Sequence, residues 1–146
     1  MAAGLTEPPY TKDILRLAAG QEHHGKLADP DAIVERRSRT CGSTIALDLA
    51  TVDRRVADIA VRVEACAYGQ AAATLMTRYA RGKTREEVDA AIAALKHWLD
   101  GSSEDPGDWP EIDRLAPARP RTGRHGAILL PFEALSEALG ETIDGR

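Results

Sequence analysis

Apolar residues fall at alternate positions in two neighbouring stretches of the chain. Ile45, Leu47 and Leu49 are interleaved with Ala46, Asp48 and Ala50, and Ala57, Ile59, Val61 and Val63 share one face while Asp58, Arg62 and Glu64 take the other. Successive side chains on a strand point to opposite faces, so each stretch predicts a strand with one buried and one wet side. Asp53-Arg54 between them supplies the turn. Ile33 to Thr40, which mixes charged and β-branched residues, predicts an edge strand ahead of these two. A sheet with one apolar face needs helices to cover it.

The period changes to that of a helix elsewhere. Thr11 caps a short helix carrying Ile14, Leu15 and Ala18, with Gly20 as its stop, and Gln21 to Pro30 reads as a polar loop. Gly69 to Arg81 places Ala72, Leu75, Met76 and Tyr79 at helical spacing and stops at Gly82. Thr84 with Glu87 three residues later is a capping-box pattern opening a helix with Val88, Ile92, Leu95 and Leu99 on one stripe and Gly101 at its end. Residues 101 to 123 are rich in Gly, Ser, Asp and Pro, with one short turn after Pro110 bearing Ile112 and Leu115. The last helix holds Leu129, Leu130, Phe132, Leu135 and Leu139 and is expected to end at Gly140. Pro131 is tolerated in a first turn, so the start is placed between Ala127 and Leu129, with His125-Gly126 at the mouth. The fold class is therefore α+β: a three-stranded antiparallel meander covered on one face by four to five α-helices, in a single domain spanning residues 1 to 146.

Charge and composition narrow the function. A formal net charge of -4 over 146 residues argues against a phosphate-binding surface and hence against a nucleic-acid partner, despite local runs at Arg36-Arg37 and Arg119-Pro120-Arg121. There is no basic stretch followed by an apolar run at the start and no apolar stretch of membrane thickness, so a soluble cytoplasmic protein is expected. In that compartment the two cysteines, Cys41 and Cys66, are expected as thiols or ligands rather than a structural bridge.

Their positions carry the chemistry. Cys41 falls at the turn between the first two strands, and Cys66 where the third strand feeds a helix N-terminus, where the dipole and free N–H groups favour a thiolate. His125 opens the last helix. A Cys/Cys/His set suits zinc or an iron-sulfur cluster, although no pair has the short spacing of a dedicated ligand motif. Arg124 is a candidate charge near the thiolates; Arg119 and Arg121 read as a rim, Lys83 as a turn residue, and His23-His24 as a solvated loop. His97 is expected to face solvent while Trp98 packs.

At these residues the chain resembles the NifU-like N-terminal family, the IscU/SufU-type scaffolds of iron-sulfur cluster assembly, including its zinc-containing, sulfur-accepting branch. The resemblance rests on Cys41-Gly42-Ser43-Thr44-Ile45, on Cys66-Ala67-Tyr68-Gly69-Gln70 running into a small-residue helix, on Arg81-Gly82-Lys83-Thr84, and on Pro120 to Leu135. It implies a SufE/NifU-like fold and a non-enzymatic role: holding iron and sulfide, or a nascent cluster, and passing it to acceptor proteins. It implies a cysteine desulfurase and apo acceptors as partners, with Cys41, Cys66 and His125 as metal ligands and a homodimer as one way to complete the ligand set. It also implies that two ligand positions are altered, since the family's aspartate is Ser43 here and its third cysteine is Gly126. The alternatives are a sulfur carrier, zinc-dependent or metal-free, in which Cys66 accepts persulfide, and a degenerate docking module.

Overall fold

The computed structural model describes residues 10–20, 22–39 and 42–144, the side chains of 143 and 144 excepted. Strands β1 (Ala32–Arg37), β2 (Thr44–Val52) and β3 (Arg55–Glu64) form an antiparallel sheet in the order β1-β2-β3. Helix α1 (Lys12–Ala18) precedes it; α2 (Ala67–Tyr79), α3 (Arg85–Leu99) and α4 (His125–Asp144) follow, with 3-10 turns at Ile112–Ala118 and Thr122–Arg124 between the last two. The meander and the helical cover are those read from the sequence.

The sheet's inner face presents Val34, Ile45, Leu47, Leu49, Ile59 and Val61 to α4 and α2. β2 and β3 join through Asp53-Arg54, both at positive φ, which gives the tight two-residue hairpin expected there. Val56, rather than Ala57, is buried on this strand. The pairing slips between Ala50 and Thr51, and the extra residue reverses the phase of alternation before Asp58.

The outer face is not wholly wet. Asp48 is buried on it, receiving an N–H bond from Leu27 (3.1 Å) and an ion pair from Arg62 (2.8 Å). The loop between α1 and β1 runs beside β3, where Val61 N–H donates to His23 and the Val61 carbonyl accepts from Gly25, and so closes over this corner.

Helix α2 is buried almost all round, which is why its sequence is so rich in small residues. Thr84 and Glu87 complete the capping box of α3, with the Thr84 hydroxyl accepting from Glu87 N–H and the Glu87 carboxylate from Thr84 N–H. In α1 the inward pair is Ile14 and Leu17, and Leu15 is half exposed: a seven-residue helix has room for one buried stripe, and it runs through 14 and 17. α4 begins earlier than expected, at His125, and continues past Gly140 to Asp144. Pro131 thus lies within it and deprives the Ala127 carbonyl of its intrahelical donor. Gly140 lies inside the helix, with the Arg85 guanidinium packed into the space its missing side chain leaves.

Candidate sulfur site where the sheet meets the helices

Cys66 occupies the N-cap of α2, in extended conformation, and its side chain makes no capping hydrogen bond. Its thiol is half-buried against the core and committed to no other cysteine among the described residues. The first N–H groups of a helix have no intrahelical acceptors, so the thiol sits where partial positive charge is concentrated. The first turn of α2 carries no carboxylate to oppose it.

Three positions far apart in sequence meet here. Thr44 and Glu64 form the last register pair of β2 and β3, so Ser43 and Ala65 come next at that end of the sheet. A side chain at Gly69, one turn into α2, would stand 2.7 Å from the Ala65 Cβ and 3.1 Å from the Ala127 Cβ, which puts the α2 and α4 N-termini in contact. Gly126 immediately precedes Ala127. Ser43 is buried, and its carbonyl accepts from Ser38 N–H at 2.8 Å. Cys41 and Thr40 lie outside the described residues.

His125 is held through one of its ring nitrogens. Its Nε2 lies 2.9 Å from the Ala118 carbonyl and 3.0 Å from that of Arg119. Both partners accept, so Nε2 carries the proton and donates, leaving the lone pair on Nδ1. The ring ties the start of α4 to the preceding 3-10 turn. Among the described residues no three His, Cys, Asp or Glu side chains converge on one point.

The cations fall around Tyr68, a residue that drew no attention as sequence beyond its place in the motif. Tyr68 is buried, its ring 5.0 Å from that of Tyr10. Burial raises the pKa of its hydroxyl, against the opposing pull of a hydrogen bond from Arg121 and the nearby charge of Arg124. Arg124 therefore acts on the Tyr68 hydroxyl. Arg119 instead stacks over Trp98 at 5.1 Å and donates to its carbonyl. Lys83 lies over Trp109, and His97 is exposed with Nδ1 3.0 Å from Ser102 Oγ. The pairing of a buried tyrosine with Arg121 was hidden in the sequence because their separation of more than fifty positions is closed only by the fold.

The family model described as the NifU-like N-terminal domain matches residues 9–104. Among curated proteins, the chain is 28% identical over 130 residues to the iron-sulfur cluster assembly scaffold protein IscU of Thermotoga maritima, covering 89% of this chain and 92% of that one. It is 29% identical over 126 residues to the protein of the same name from Streptococcus pyogenes serotype M1, covering 85% and 78%. Among solved structures, a nitrogen-fixing NifU-like protein (N-terminal) from Brucella abortus superposes with a TM-score of 0.87 at 34% identity, covering 94% of this chain and 96% of that one. A putative iron-sulfur cluster assembly scaffold protein for the SUF system from Fervidobacterium islandicum shares the fold, with a TM-score of 0.82 at 21% identity, covering 94% and 99%.

Proposed function

The chain belongs to the NifU-like N-terminal domain family, and from that premise we propose that it is an iron-sulfur cluster assembly scaffold, which receives iron and sulfide, holds them as a nascent cluster and yields the cluster to acceptor proteins. The role is one of binding and release rather than turnover. The observation that carries it is Cys66: a thiol at a buried helix N-terminus, used neither for capping nor for a bond to another cysteine among the described residues.

Cys66 and Cys41 are the thiolate ligands of this reading, and His125 is a third through Nδ1. A two-iron cluster takes four protein ligands as a rule. Ser43 offers a hydroxyl, a weak ligand at neutral pH, and Gly126 offers nothing. The cluster held here is therefore short of protein ligands, which suits cargo more than a resident centre, and a second copy of the chain or a small thiol would complete it. The same shortage disfavours zinc as a resident ion, because a closed tetrahedral site needs four good donors. A cysteine desulfurase as sulfur source, apo iron-sulfur proteins as acceptors and the cytoplasm as location follow from this role. No helix of the described residues is long and apolar enough to cross a membrane.

Cluster transfer tests the proposal. The chain is reconstituted anaerobically with iron and sulfide, separated from free reagents and mixed with an apo-ferredoxin. The ferredoxin's spectrum should appear with the wild-type chain and fail to appear with Cys66→Ser. The second reading, a sulfur carrier, is favoured by Ser43 and Gly126. It predicts the reverse pattern: persulfide on Cys66 after incubation with a desulfurase, and no transferable iron.

A further inference from the structure

One edge of the sheet is closed and the other is open. On β3 the Val61 N–H donates to the His23 carbonyl and the Val61 carbonyl accepts from Gly25, so the loop after α1 takes the place of a fourth strand. On the opposite side β1 is the free edge among the described residues. Backbone groups alternate sides along an antiparallel strand, and the Ser38 N–H, which donates to Ser43, sets the phase. Val34 and Arg36 bond to β2, and the N–H and carbonyl groups of Ile33, Glu35 and Arg37 turn outward. The side chains of the same three residues are exposed on the outer face, Ile33 by 57%. A hollow of about 850 Å³ on the helix side and one of about 540 Å³ on the outer face both reach Arg36, so the edge stands clear on either side.

The charges at this edge select what fits it. Glu35 and Arg37 share the outer face two residues apart, and neither makes an ion pair among the described residues. Two copies of β1 related by a two-fold axis run antiparallel, and their outward-turned residues must pair with one another. An axis through Arg36 sets Glu35 opposite the partner's Arg37 and Arg37 opposite the partner's Glu35, and each pair exchanges both backbone hydrogen bonds. An axis through Glu35 would set that carboxylate against its own copy. One through Val34 would set Glu35 against an isoleucine and Arg37 against an aspartate, Asp31, that already accepts from Thr51 N–H at 2.8 Å. Charges on an edge thus oppose most registers and leave one. On the inner face the two copies of Arg36 come abreast, each already neutralised within its own chain by Glu137 at 2.9 Å and Glu133 at 3.8 Å. Glu64, also unpaired on the outer face, lies two strands in, roughly 10 Å from the edge, and takes no part.

We propose that this chain forms a symmetric dimer through its β1 edges in the register centred on Arg36, joining two sheets into one. The inference goes beyond the scaffold reading and stands without it. The edge lies two strands from β3, whose end leads into Cys66, so each copy keeps that thiol free.

Sedimentation velocity of the iron-free chain, under reducing conditions and at rising concentration, tests the interface. A charge reversal at either position turns both symmetric pairs from attraction to repulsion, so Glu35→Arg and Arg37→Glu should each raise the dimer dissociation constant about tenfold or more. Both side chains are exposed and unpaired, so each variant should fold as wild type does. An equimolar mixture of the two variants should associate as wild type does, because the arginines of one chain then face the glutamates of the other, a rescue that no folding defect could imitate. Amide hydrogen exchange at Glu35 and Arg37 should slow as the dimer forms. A wild-type chain that stays monomeric to millimolar concentration, a dimer indifferent to both reversals, or a mixture that fails to recover would overturn the proposal.

Discussion

At the residue scale, Asp48 and Arg62 show how burial changes what a charge is worth. The Asp48 side chain is 3% exposed and that of Arg62 27%. Removing the arginine strands a carboxylate with one N–H partner, so Arg62→Ala should cost roughly 3 kcal/mol in urea unfolding, the low end for a broken buried pair. Asp13 behaves differently, because it is nearly half exposed. Its carboxylate bonds the Arg114 guanidinium, which holds its pKa below the usual carboxylate value. A depressed folded-state pKa gives stability that is present above the unfolded-state value, near 4, and lost as pH falls through the folded value. The urea midpoint of Asp13→Asn should therefore lie below wild type at pH 7, and the gap should shrink below pH 4. At the candidate sulfur site, Ser43→Asp combined with Gly126→Cys puts a carboxylate and a thiol at the two positions the resemblance marks as altered, and under the proposed function should lengthen the lifetime of a reconstituted cluster by at least about tenfold, since a thiolate and a carboxylate would replace a weak donor and none.

At the element scale, two glycines within helices make opposite predictions. Gly69→Ala drives a methyl against the Ala65 Cβ and the Ala127 carbonyl, neither of which can swing aside. Overpacking of this kind costs about 1–3 kcal/mol, and by parting α2 from α4 it should also lower iron retention at Cys66. Gly140→Ala meets the flexible end of Arg85, and helix propensity gains about 1 kcal/mol, so the melting temperature should hold or rise. The elements themselves were largely legible. The capping box of α3 and the hairpin at Asp53-Arg54 were found where local residue chemistry placed them. The errors arose where tertiary contacts overrode local signals. Pro131 argued for a later start to α4, but α2 packs Gly69 against the carbonyl that Pro131 leaves unpaired. The bulge before Asp58 cannot be seen in a two-residue period, and it moved Val56 rather than Ala57 into the core.

At the scale of the whole molecule, the topology gathers the sulfur site. A three-stranded meander returns the chain from β2 to β3, so that Ser43 and Ala65 end side by side; α2 leaves from that end, and α4 comes back to meet it at Ala127. The sequence showed the two cysteines at element boundaries, and the resemblance named Ser43 and Gly126 as altered positions. It did not show His125 turned onto the Ala118 and Arg119 carbonyls, nor Arg121 on Tyr68, because those contacts depend on the path of residues 112–124 over the helices. The central claim is that this end of the molecule holds iron and sulfide through cysteine thiolates. The most direct measurement is the iron and acid-labile sulfide content of the chain purified without oxygen, compared with Cys66→Ser. Iron and sulfide in equal amounts, both lost in the variant, is the result predicted; zinc alone, or iron and sulfide unchanged by Cys66→Ser, would contradict it.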